Sequence, residues 1–176
     1  MIELRRFIRD VPDFPRKGIV FKDITPMLAD PAALAEAVRA LADRVERPDA
    51  VVAIESRGFV FGTGLALHCC VPLIPARKFG KLPGDKVRVV YSLEYGEDTL
   101  ELHRDALRPG QRVAIVDDLL ATGGTAAATA ELVATLEAKV AALLFVVELK
   151  GLGGRERLGP HRVESLIEYD VTAAKA

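Results

Sequence analysis

Hydrophobic and polar residues alternate along the chain with two different spacings. Between Asp30 and Pro48, apolar residues recur at helical spacing, and Asp30-Pro31 supplies an N-cap and a first-turn proline, which predicts a helix. Short, uninterrupted apolar runs elsewhere have the length of buried strands. The predicted helices are 31–47, 59–69 and about 125–138, and the predicted strands are 51–54, 72–75, 87–93, 99–103, 113–116, 140–149 and 163–169.

The order of these elements predicts the fold class. Short apolar strands that alternate with helices are typical of an α/β fold with a mostly parallel central sheet, flanked by helices on both faces. No repeat or polar linker divides the chain, so residues 1–176 are expected to form a single domain. Residues 77–103 break the alternation, and we expect a mobile excursion from the core there. Ligands of such sheets bind beyond the carboxyl ends of the strands, here the loops after Ile54, Ala76, Val116 and Leu149.

Composition argues against several classes of protein. The 24 basic and 25 acidic side chains give a net charge of -1, a balance unlike that of proteins that coat nucleic acid or anionic membranes. The longest apolar run, Val140–Val147, is too short to cross a bilayer, and the N-terminus is charged where a signal peptide is apolar. Cys69 and Cys70 are adjacent in an apolar segment, so we expect core residues of a cytoplasmic protein and no cysteine–metal site.

The segment VAIVDDLLATGGT, residues 113–125, carries the strongest chemical signal. Its apolar residues 113–116 predict a strand with Asp117 and Asp118 at its end, and a turn of small residues then begins a helix. Amides of such a turn bind phosphate, whereas the two carboxylates suit a vicinal diol. Together they predict a site for ribose 5-phosphate, with the phosphate held by Ala121, Thr122, Gly123, Gly124 and Thr125.

Other phosphate motifs do not fit the sequence. There is no GxxxxGK[ST] P-loop, and no GxGxxG follows a strand. Gly62 and Gly64 lie inside an apolar helical stretch, where close packing is the better interpretation. A general nucleotide-binding module stays open as an alternative, although it would not need the basic cluster at 77–81.

Segment 113–125 resembles the phosphoribosyl pyrophosphate (PRPP) motif of type I phosphoribosyltransferases. Segments 13–28, 54–66, 76–86, 91–103 and 147–158 are similar, in order, to the adenine phosphoribosyltransferases. The resemblance covers nearly the whole chain. It implies a type I fold with a hood and a flexible loop, and transfer of phosphoribose from PRPP to adenine to give AMP and pyrophosphate. It also implies a homodimer that uses Mg2+, brought mainly by the substrate pyrophosphate.

The resemblance assigns a second anion site to the turn after Ile54. A hydroxyl, an arginine and a glycine at a strand end suit pyrophosphate, and a non-proline cis peptide is expected at Glu55-Ser56. Arg57 is further expected to act in catalysis, and Arg77 to serve the partner subunit in part. The implied pyrophosphate-binding residues are Ser56, Arg57, Arg77, Lys78 and Lys81.

For the base, the resemblance implies that Phe21 stacks on adenine and that Leu149 closes the other side. Backbone groups of Val20 and Lys22 would read the base edge. The family usually has arginine where Lys22 stands, a difference without effect if the contact is through the backbone.

Glu94 is a catalytic candidate for a chemical reason. Attack through N9 of adenine needs the lone pair of that nitrogen, so the proton has to sit on or leave from elsewhere on the imidazole ring, and a carboxylate beside N7 can accept and hold it. Tyr95 is expected in the same lid, which keeps water from the reacting carbon.

Two rival functions stay open. One is a transferase for 6-oxopurines or xanthine, against which the segments FPRKGIVF and LEYG argue by resemblance. The other is a purine-responsive DNA-binding regulator, which would need a helix-turn-helix segment and a basic face; the sequence indicates neither.

Overall fold

Seven strands form the central sheet of the protein. The computed structural model describes residues 2–93 and 96–171. A short 3-10 helix, Leu4–Phe7, precedes the numbered elements. These elements are β1 (Arg9–Pro12), β2 (Val20–Asp23), α1 (Thr25–Ala29), α2 (Pro31–Ala42), β3 (Ala50–Ile54), α3 (Gly58–Cys69), β4 (Leu73–Lys78), β5 (Lys86–Leu93), β6 (Gly96–His103), β7 (Arg112–Leu120), α4 (Gly124–Thr135), β8 (Lys139–Lys150), α5 (Gly154–Arg157) and β9 (Val163–Asp170).

The strand order is β5-β6-β4-β3-β7-β8-β9. All pairings from β4 to β9 along this order are parallel, and the hairpin β5–β6 joins β4 antiparallel at one edge. Parallel strands need crossover connections, which the helices provide. The predicted α/β class with a mostly parallel sheet is confirmed.

Side chains of each central strand alternate between two buried clusters, one on each face of the sheet. On β7, Val113 and Ile115 belong to the cluster that packs with α4, whereas Ala114 and Val116 belong to the cluster that packs with α2 and α3. Burial on both faces explains why the strands read as continuous apolar runs.

Helix α2 begins as the sequence predicts, because the Asp30 carboxylate accepts a hydrogen bond from the Ala33 amide at 2.8 Å. The helix ends at Ala42, earlier than predicted. The packing interpretation of the α3 glycines is confirmed. A Cβ on Gly64 would lie 2.5 Å from Val38 on α2, and one on Gly62 would lie 2.4 Å from the Ala53 side chain on β3.

Two strands run further than predicted. Strand β4 continues through Arg77 and Lys78, which therefore belong to the sheet and not to a loop. Strand β7 continues to Leu120, so Asp117 and Asp118 are strand residues. The added residues of β4 pair with β6 and those of β7 pair with β8, and the local sequence gives no sign of either pairing.

The prediction that residues 77–103 leave the core is wrong for the hairpin β5–β6. Val87, Val89 and Tyr91 alternate on its inner face and are buried in the same cluster as α4, together with Leu100 and Leu102 of β6. The hairpin is therefore an edge of the central sheet that carries core residues, and independent motion of residues 80–100 as a whole would expose them.

Strands β1 and β2 form a separate antiparallel pair, which we call the N-terminal hairpin (residues 9–23). Asp23 fastens it to α1, since its carboxylate accepts hydrogen bonds from the Thr25 amide at 2.9 Å and from Arg9 Nε at 3.0 Å. These contacts, the largest being the amide bond, lower the pKa of Asp23 to about 2. Among the described residues, no helix combines the length and apolarity needed to cross a membrane.

Candidate active site

The two acids of the ribose motif lie on β7 opposite the turn that follows β3. The buried Asp118 carboxylate receives the Arg57 guanidinium, with Nε and Oδ2 2.9 Å apart. A Cβ on Gly58 would lie 2.8 Å from the Val116 carbonyl oxygen and 3.0 Å from Asp117 Oδ1. The turn at 55–58 can approach the acids this closely because residue 58 has no side chain.

Both carboxyl groups resist ionisation. Burial, followed by the neighbouring charge of Asp118, raises the pKa of Asp117 well above its ordinary value. Burial also raises the pKa of Asp118, although Arg57 opposes this effect. The pair thus favours a partner that donates hydrogen bonds or positive charge, as a sugar diol or a cation does.

The turn 121–125, which we call the phosphate turn, opens helix α4. Gly123 is the N-cap with φ of 75°, a left-handed conformation that glycine adopts without strain. The α4 amides that begin at Gly124 carry the partial positive charge of a twelve-residue helix. This is the geometry of an anion site, and it places all five predicted phosphate-binding residues in one turn.

Gly154, the first residue of α5, packs directly against the backbone of the phosphate turn. A Cβ on Gly154 would lie 2.2 Å from the Ala121 carbonyl oxygen, and one on Gly123 would lie 2.6 Å from the Gly154 carbonyl oxygen. The start of α5 and the phosphate turn are therefore in backbone contact, and neither has room for a side chain at this point.

The predicted pyrophosphate residues come from the turn after β3 and the end of β4. The peptide Glu55-Ser56 is cis, as predicted. The Glu55 carboxylate accepts hydrogen bonds from Arg77 Nε at 3.0 Å and from the Lys78 amide at 2.8 Å. Although burial opposes ionisation, these bonds lower the pKa of Glu55. Lys81 is exposed and follows β4, with its amide bonded to the Lys78 carbonyl at 3.1 Å.

A polar network joins these basic residues to the phosphate turn. The Tyr91 hydroxyl accepts hydrogen bonds from Thr125 Oγ1 and from Lys78 Nζ, each at 3.2 Å, and donates one to Asp98 at 3.1 Å. The Lys78 ammonium also donates directly to Asp98. Residues from β4, β5, β6 and α4 thus meet at one hydroxyl.

The N-terminal hairpin brings Phe21 to the site. The Arg57 guanidinium lies 5.3 Å from the Phe21 ring centroid, within cation–π range. Phe14 meets the same ring edge-on, with centroids 5.2 Å apart. Arg57 therefore contacts both Asp118, a predicted ribose-binding acid, and Phe21, the predicted base-stacking aromatic.

Val20 and Lys22 lie on β2, where Val20 pairs with Pro12, which lacks an N–H, and Lys22 pairs with Asp10 of β1. Just beyond these pairs, the Ile19 carbonyl accepts a hydrogen bond from the Phe14 amide at 3.3 Å. The Lys22 ammonium donates to Asp10 at 2.7 Å and lies 4.1 Å from the Tyr169 ring centroid.

Leu149, the predicted second wall of the base site, lies near the end of β8. It lines a cavity of about 480 Å³ together with Ala121 and Gly154, and Phe21 is not among the described residues that line this cavity. Glu148, the neighbour of Leu149 on β8, is buried and accepts a hydrogen bond from Arg155 at 3.0 Å, and Arg155 also donates to the Val163 carbonyl at 2.8 Å. The structure thus places Leu149 beside the phosphate turn and Phe21 beside Arg57.

Glu94 and Tyr95, the candidates for proton transfer and for the lid, lie outside the described residues. In sequence they stand between β5 and β6, directly after the segment that contributes Tyr91. Within residues 2–93 and 96–171, no group of three or more histidine, cysteine, aspartate or glutamate side chains could hold a metal ion.

Comparison with known proteins assigns the family. Residues 24–171 match the phosphoribosyl transferase domain. A curated relative, the adenine phosphoribosyltransferase of Carboxydothermus hydrogenoformans, is 54% identical over 170 residues, which cover 96% of this chain and 100% of the relative. The chain belongs to the adenine phosphoribosyltransferase family.

Solved structures of the adenine phosphoribosyltransferase family have the same fold. The enzyme of Thermoanaerobacter pseudethanolicus superposes with a TM-score of 0.92 at 48% identity, covering 95% of this chain and 98% of that one. The Saccharomyces cerevisiae enzyme, solved with adenine and an imino-altritol bisphosphate, has a TM-score of 0.85 at 42% identity and covers 93% and 96% of the two chains. The predicted type I phosphoribosyltransferase fold is confirmed.

Sequence reasoning missed several residues that hold the site together. Tyr91 carries a usable signal, because period-two alternation with Val87 and Val89 puts it on the buried face, where a hydroxyl needs partners. Asp98 and Glu55 carry none, since a lone acid in a strand or turn is usually solvated. The role of Gly154 depends on contact with a turn some thirty residues earlier, which no local pattern reports.

Proposed function

We propose that this chain transfers the 5-phosphoribosyl group of PRPP to adenine, which yields AMP and pyrophosphate in purine salvage. One observation carries the proposal: Arg57 contacts Asp118 at 2.9 Å and the Phe21 ring at 5.3 Å. This contact joins an acid suited to a ribose diol to an aromatic suited to a base. In this proposal a nucleoside monophosphate has its ribose at Asp118, its base at Phe21 and its phosphate on the turn at the start of α4.

The phosphoribosyl group is proposed to bind along β7 and the phosphate turn. Asp117 and Asp118 accept hydrogen bonds from the two ribose hydroxyls. When the ribose binds, Asp118 gives up part of its contact with Arg57. Amides of residues 121–125 hold the 5-phosphate, with the hydroxyls of Thr122 and Thr125 as further donors. Burial and the neighbouring charge of Asp118 raise the pKa of Asp117, and hydrogen bonds from the ribose hydroxyls would stabilise its ionised form.

The pyrophosphate group is proposed to lie between the two basic segments. Ser56 and Arg57 contribute from the turn after β3, and Arg77, Lys78 and Lys81 from the end of β4 and the residues after it. The carboxylates of Asp117 and Asp118 are oxygen ligands of the kind that suit a hard cation, and Mg2+ carried by the pyrophosphate would supply positive charge to the leaving group. The C1–O bond of PRPP breaks as N9 of adenine bonds to C1.

Adenine is proposed to stack on Phe21, with Leu149 on its far side. In this proposal the backbone of Val20 and Lys22 offers an amide donor and a carbonyl acceptor to the base edge. Adenine presents an acceptor at N1 and a donor at its amino group, whereas hypoxanthine presents the reverse. Because the Lys22 ammonium already binds Asp10, lysine in place of arginine leaves this backbone contact intact.

The ring proton of adenine needs an acceptor as N9 attacks. We propose that Glu94 holds this proton at N7, and that Tyr95 and its neighbours exclude water from the reacting carbon. Arg57 assists from the other side, where it stabilises the pyrophosphate that leaves.

The working unit is proposed to be a homodimer in the cytoplasm. Helix α3 exposes Val60, Thr63 and Leu67 on one face, and Leu73 of β4 is also partly exposed. Leu67 is 74% exposed, compared with 40% for Val60 and 37% for Leu73, so these side chains offer apolar area that a partner would bury. A second copy of the chain would cover this face and bring Arg77 close to the neighbouring site.

A substrate comparison tests the function. The purified protein is incubated with PRPP, Mg2+ and either adenine or hypoxanthine, and AMP or IMP is followed by chromatography. We expect AMP and a preference for adenine of about 10⁴-fold in kcat/KM, because reversed polarity leaves buried groups unpaired. Comparable rates with hypoxanthine would reject the base assignment, and IMP alone would favour the 6-oxopurine alternative.

The same assay with Glu94→Gln tests the proton step. The amide keeps a hydrogen bond but cannot take the proton, so kcat should fall by about 10²-fold or more, while the KM for adenine changes little. Glu97→Gln, two residues after Tyr95, is the matched control and should behave as the unchanged enzyme. Full activity of Glu94→Gln in single-turnover measurements would reject this role and leave the adenine assignment standing.

A further inference from the structure

Lys78 is bound to a carboxylate of its own chain. Its ammonium donates to Asp98 of β6 and, over 3.2 Å, to the Tyr91 hydroxyl of β5. The side chains of Lys78 and Asp98 are 37% and 23% exposed, so small anions in solvent reach the pair. Two of the three N–H donors of the lysine are thus occupied before any ligand arrives.

The position of this pair is fixed from several sides. The Tyr91 hydroxyl donates to Asp98 at 3.1 Å and receives Thr125 of the phosphate turn at 3.2 Å. Asp98 also accepts from the Thr99 amide at 2.8 Å. The pair therefore lies beside the predicted phosphate turn and is not a mobile contact of two surface chains.

In the proposed function, the negative charge of Asp98 lies where the pyrophosphate group, itself a polyanion, has to bind. Arg77 is already matched by Glu55 at 3.0 Å, so Lys78 and the exposed Lys81 are the remaining cations at the end of β4 and in the residues directly after it. A carboxylate in contact with Lys78 takes its hydrogen bonds and repels phosphate oxygens. Burial opposes both charges, yet the contact with Lys78 lowers the pKa of Asp98, so the carboxylate is ionised at neutral pH.

We propose that Asp98 is an internal counter-anion of Lys78 which the pyrophosphate group of PRPP has to displace, so that Asp98 sets the affinity of the pyrophosphate side. This inference rests on the proposed function, in which Lys78 binds pyrophosphate. In the absence of ligand Asp98 holds the lysine in place. When pyrophosphate binds, the ammonium exchanges one carboxylate for phosphate oxygens, while Tyr91 keeps the hairpin joined to Thr125.

Neutralising the carboxylate tests the inference. Binding of Mg2+–pyrophosphate is measured by titration calorimetry, and the KM for PRPP at saturating adenine is measured in parallel. Asp98→Asn should tighten pyrophosphate binding and lower the KM for PRPP by about 2- to 5-fold, the range of one partly exposed charge pair. The KM for adenine should stay the same. A variant that merely loosened the fold would weaken binding.

Asp85→Asn is the matched control. Asp85 is an exposed acid of the same segment that pairs with Arg104 at 2.9 Å, so its loss changes the net charge equally without touching Lys78. If it tightens pyrophosphate binding as much as Asp98→Asn does, general charge and not the Lys78 contact is responsible, and the inference is wrong. Asp98→Glu restores the carboxylate and should return the affinity toward that of the unchanged protein.

Two further outcomes separate the possibilities. Unchanged or weaker pyrophosphate binding by a folded Asp98→Asn overturns the inference. Should that variant not fold, Asp98→Ser keeps an acceptor for the Thr99 amide without the charge and faces the same criterion. If the unchanged protein makes no AMP from adenine and PRPP, the proposed function fails, yet the pyrophosphate titration still decides whether Asp98 competes for Lys78.

Discussion

The guanidinium of Arg57 contacts two groups of different character, the Asp118 carboxylate and the Phe21 ring. In the protein without ligand it offsets part of the negative charge that Asp117 and Asp118 concentrate on β7. Because burial and the charge of Asp118 both raise the pKa of Asp117, the state of one acid depends on its neighbour. Substitution of either acid should therefore change the pH dependence of the activity as well as its maximum.

Asp118→Asn tests this dependence. Ionised Asp117 accepts stronger, charge-assisted hydrogen bonds from ribose than the neutral acid does, so kcat/KM should rise as the pH passes its pKa. Removing the Asp118 charge lowers that pKa, and the acidic limb of the pH profile should move to lower pH. The maximum of kcat/KM should fall by about 10-fold or more, since one charge-assisted hydrogen bond is lost. The measurement is a pH profile of initial rates at low PRPP.

The control for this variant is Asp105→Asn, an exposed acid before β7 that lies outside the proposed site. It should leave both the maximum and the acidic limb in place. An acidic limb that stays fixed in Asp118→Asn would show that Asp117 does not titrate in this range.

At the scale of elements, contact between the phosphate turn and the start of α5 sets the shape of the phosphate site. Gly154→Ala places a methyl group 2.2 Å from the Ala121 carbonyl oxygen, so the turn or the helix has to move. We expect the KM for PRPP to rise by about 10-fold and stability to fall by about 1–3 kcal/mol. Initial-rate kinetics and thermal unfolding measure the two effects.

Gly110→Ala separates these effects. Gly110 has φ of 80° and no atom within 4 Å of an added Cβ, so alanine there strains the backbone before β7 without touching the phosphate turn. It should lower stability but leave the KM for PRPP unchanged. An equal rise in KM in both variants would mean that loss of stability alone weakens PRPP binding.

The helices and strands that the sequence predicts correctly are those whose burial produces a clear pattern. Strands β3 and β8 are buried on both faces, so their apolar runs give nearly the right bounds. Strand β4 ends in the polar Arg77 and Lys78, and β7 continues through the polar Asp117 and Asp118. The strand conformation of these residues comes from pairing with β6 and β8, which local sequence does not report. Motif residues such as 121–125 are found by pattern, whereas the partners that position them, Tyr91 and Gly154, lie far away in sequence.

At the scale of the whole molecule, the exposed face of α3 predicts the oligomeric state. Leu67→Glu places a charge where a second copy would bury a leucine, and it should convert the dimer to a monomer at micromolar concentration and lower activity if Arg77 serves the partner site. Sedimentation velocity measures the first effect. Ile2→Glu, an exposed apolar residue near the N-terminus, is the matched control. A monomeric, fully active unchanged protein would contradict the proposed dimer.

The hairpin β5–β6 is joined to the rest of the sheet by two residue pairs, Arg77 with Glu101 and Lys78 with Leu100. Such a short junction makes the hairpin an exchangeable module, because a relative's residues 86–103 could replace it without altering any parallel strand. The exchange would have to preserve the buried packing of Val87, Val89 and Tyr91 and the hydrogen bond between Tyr91 and Thr125. It would also carry its own residues at positions 94 and 98, so that a change of module would bring the proposed proton acceptor and the counter-anion of Lys78 from the relative, while the N-terminal hairpin with Phe21 stayed behind.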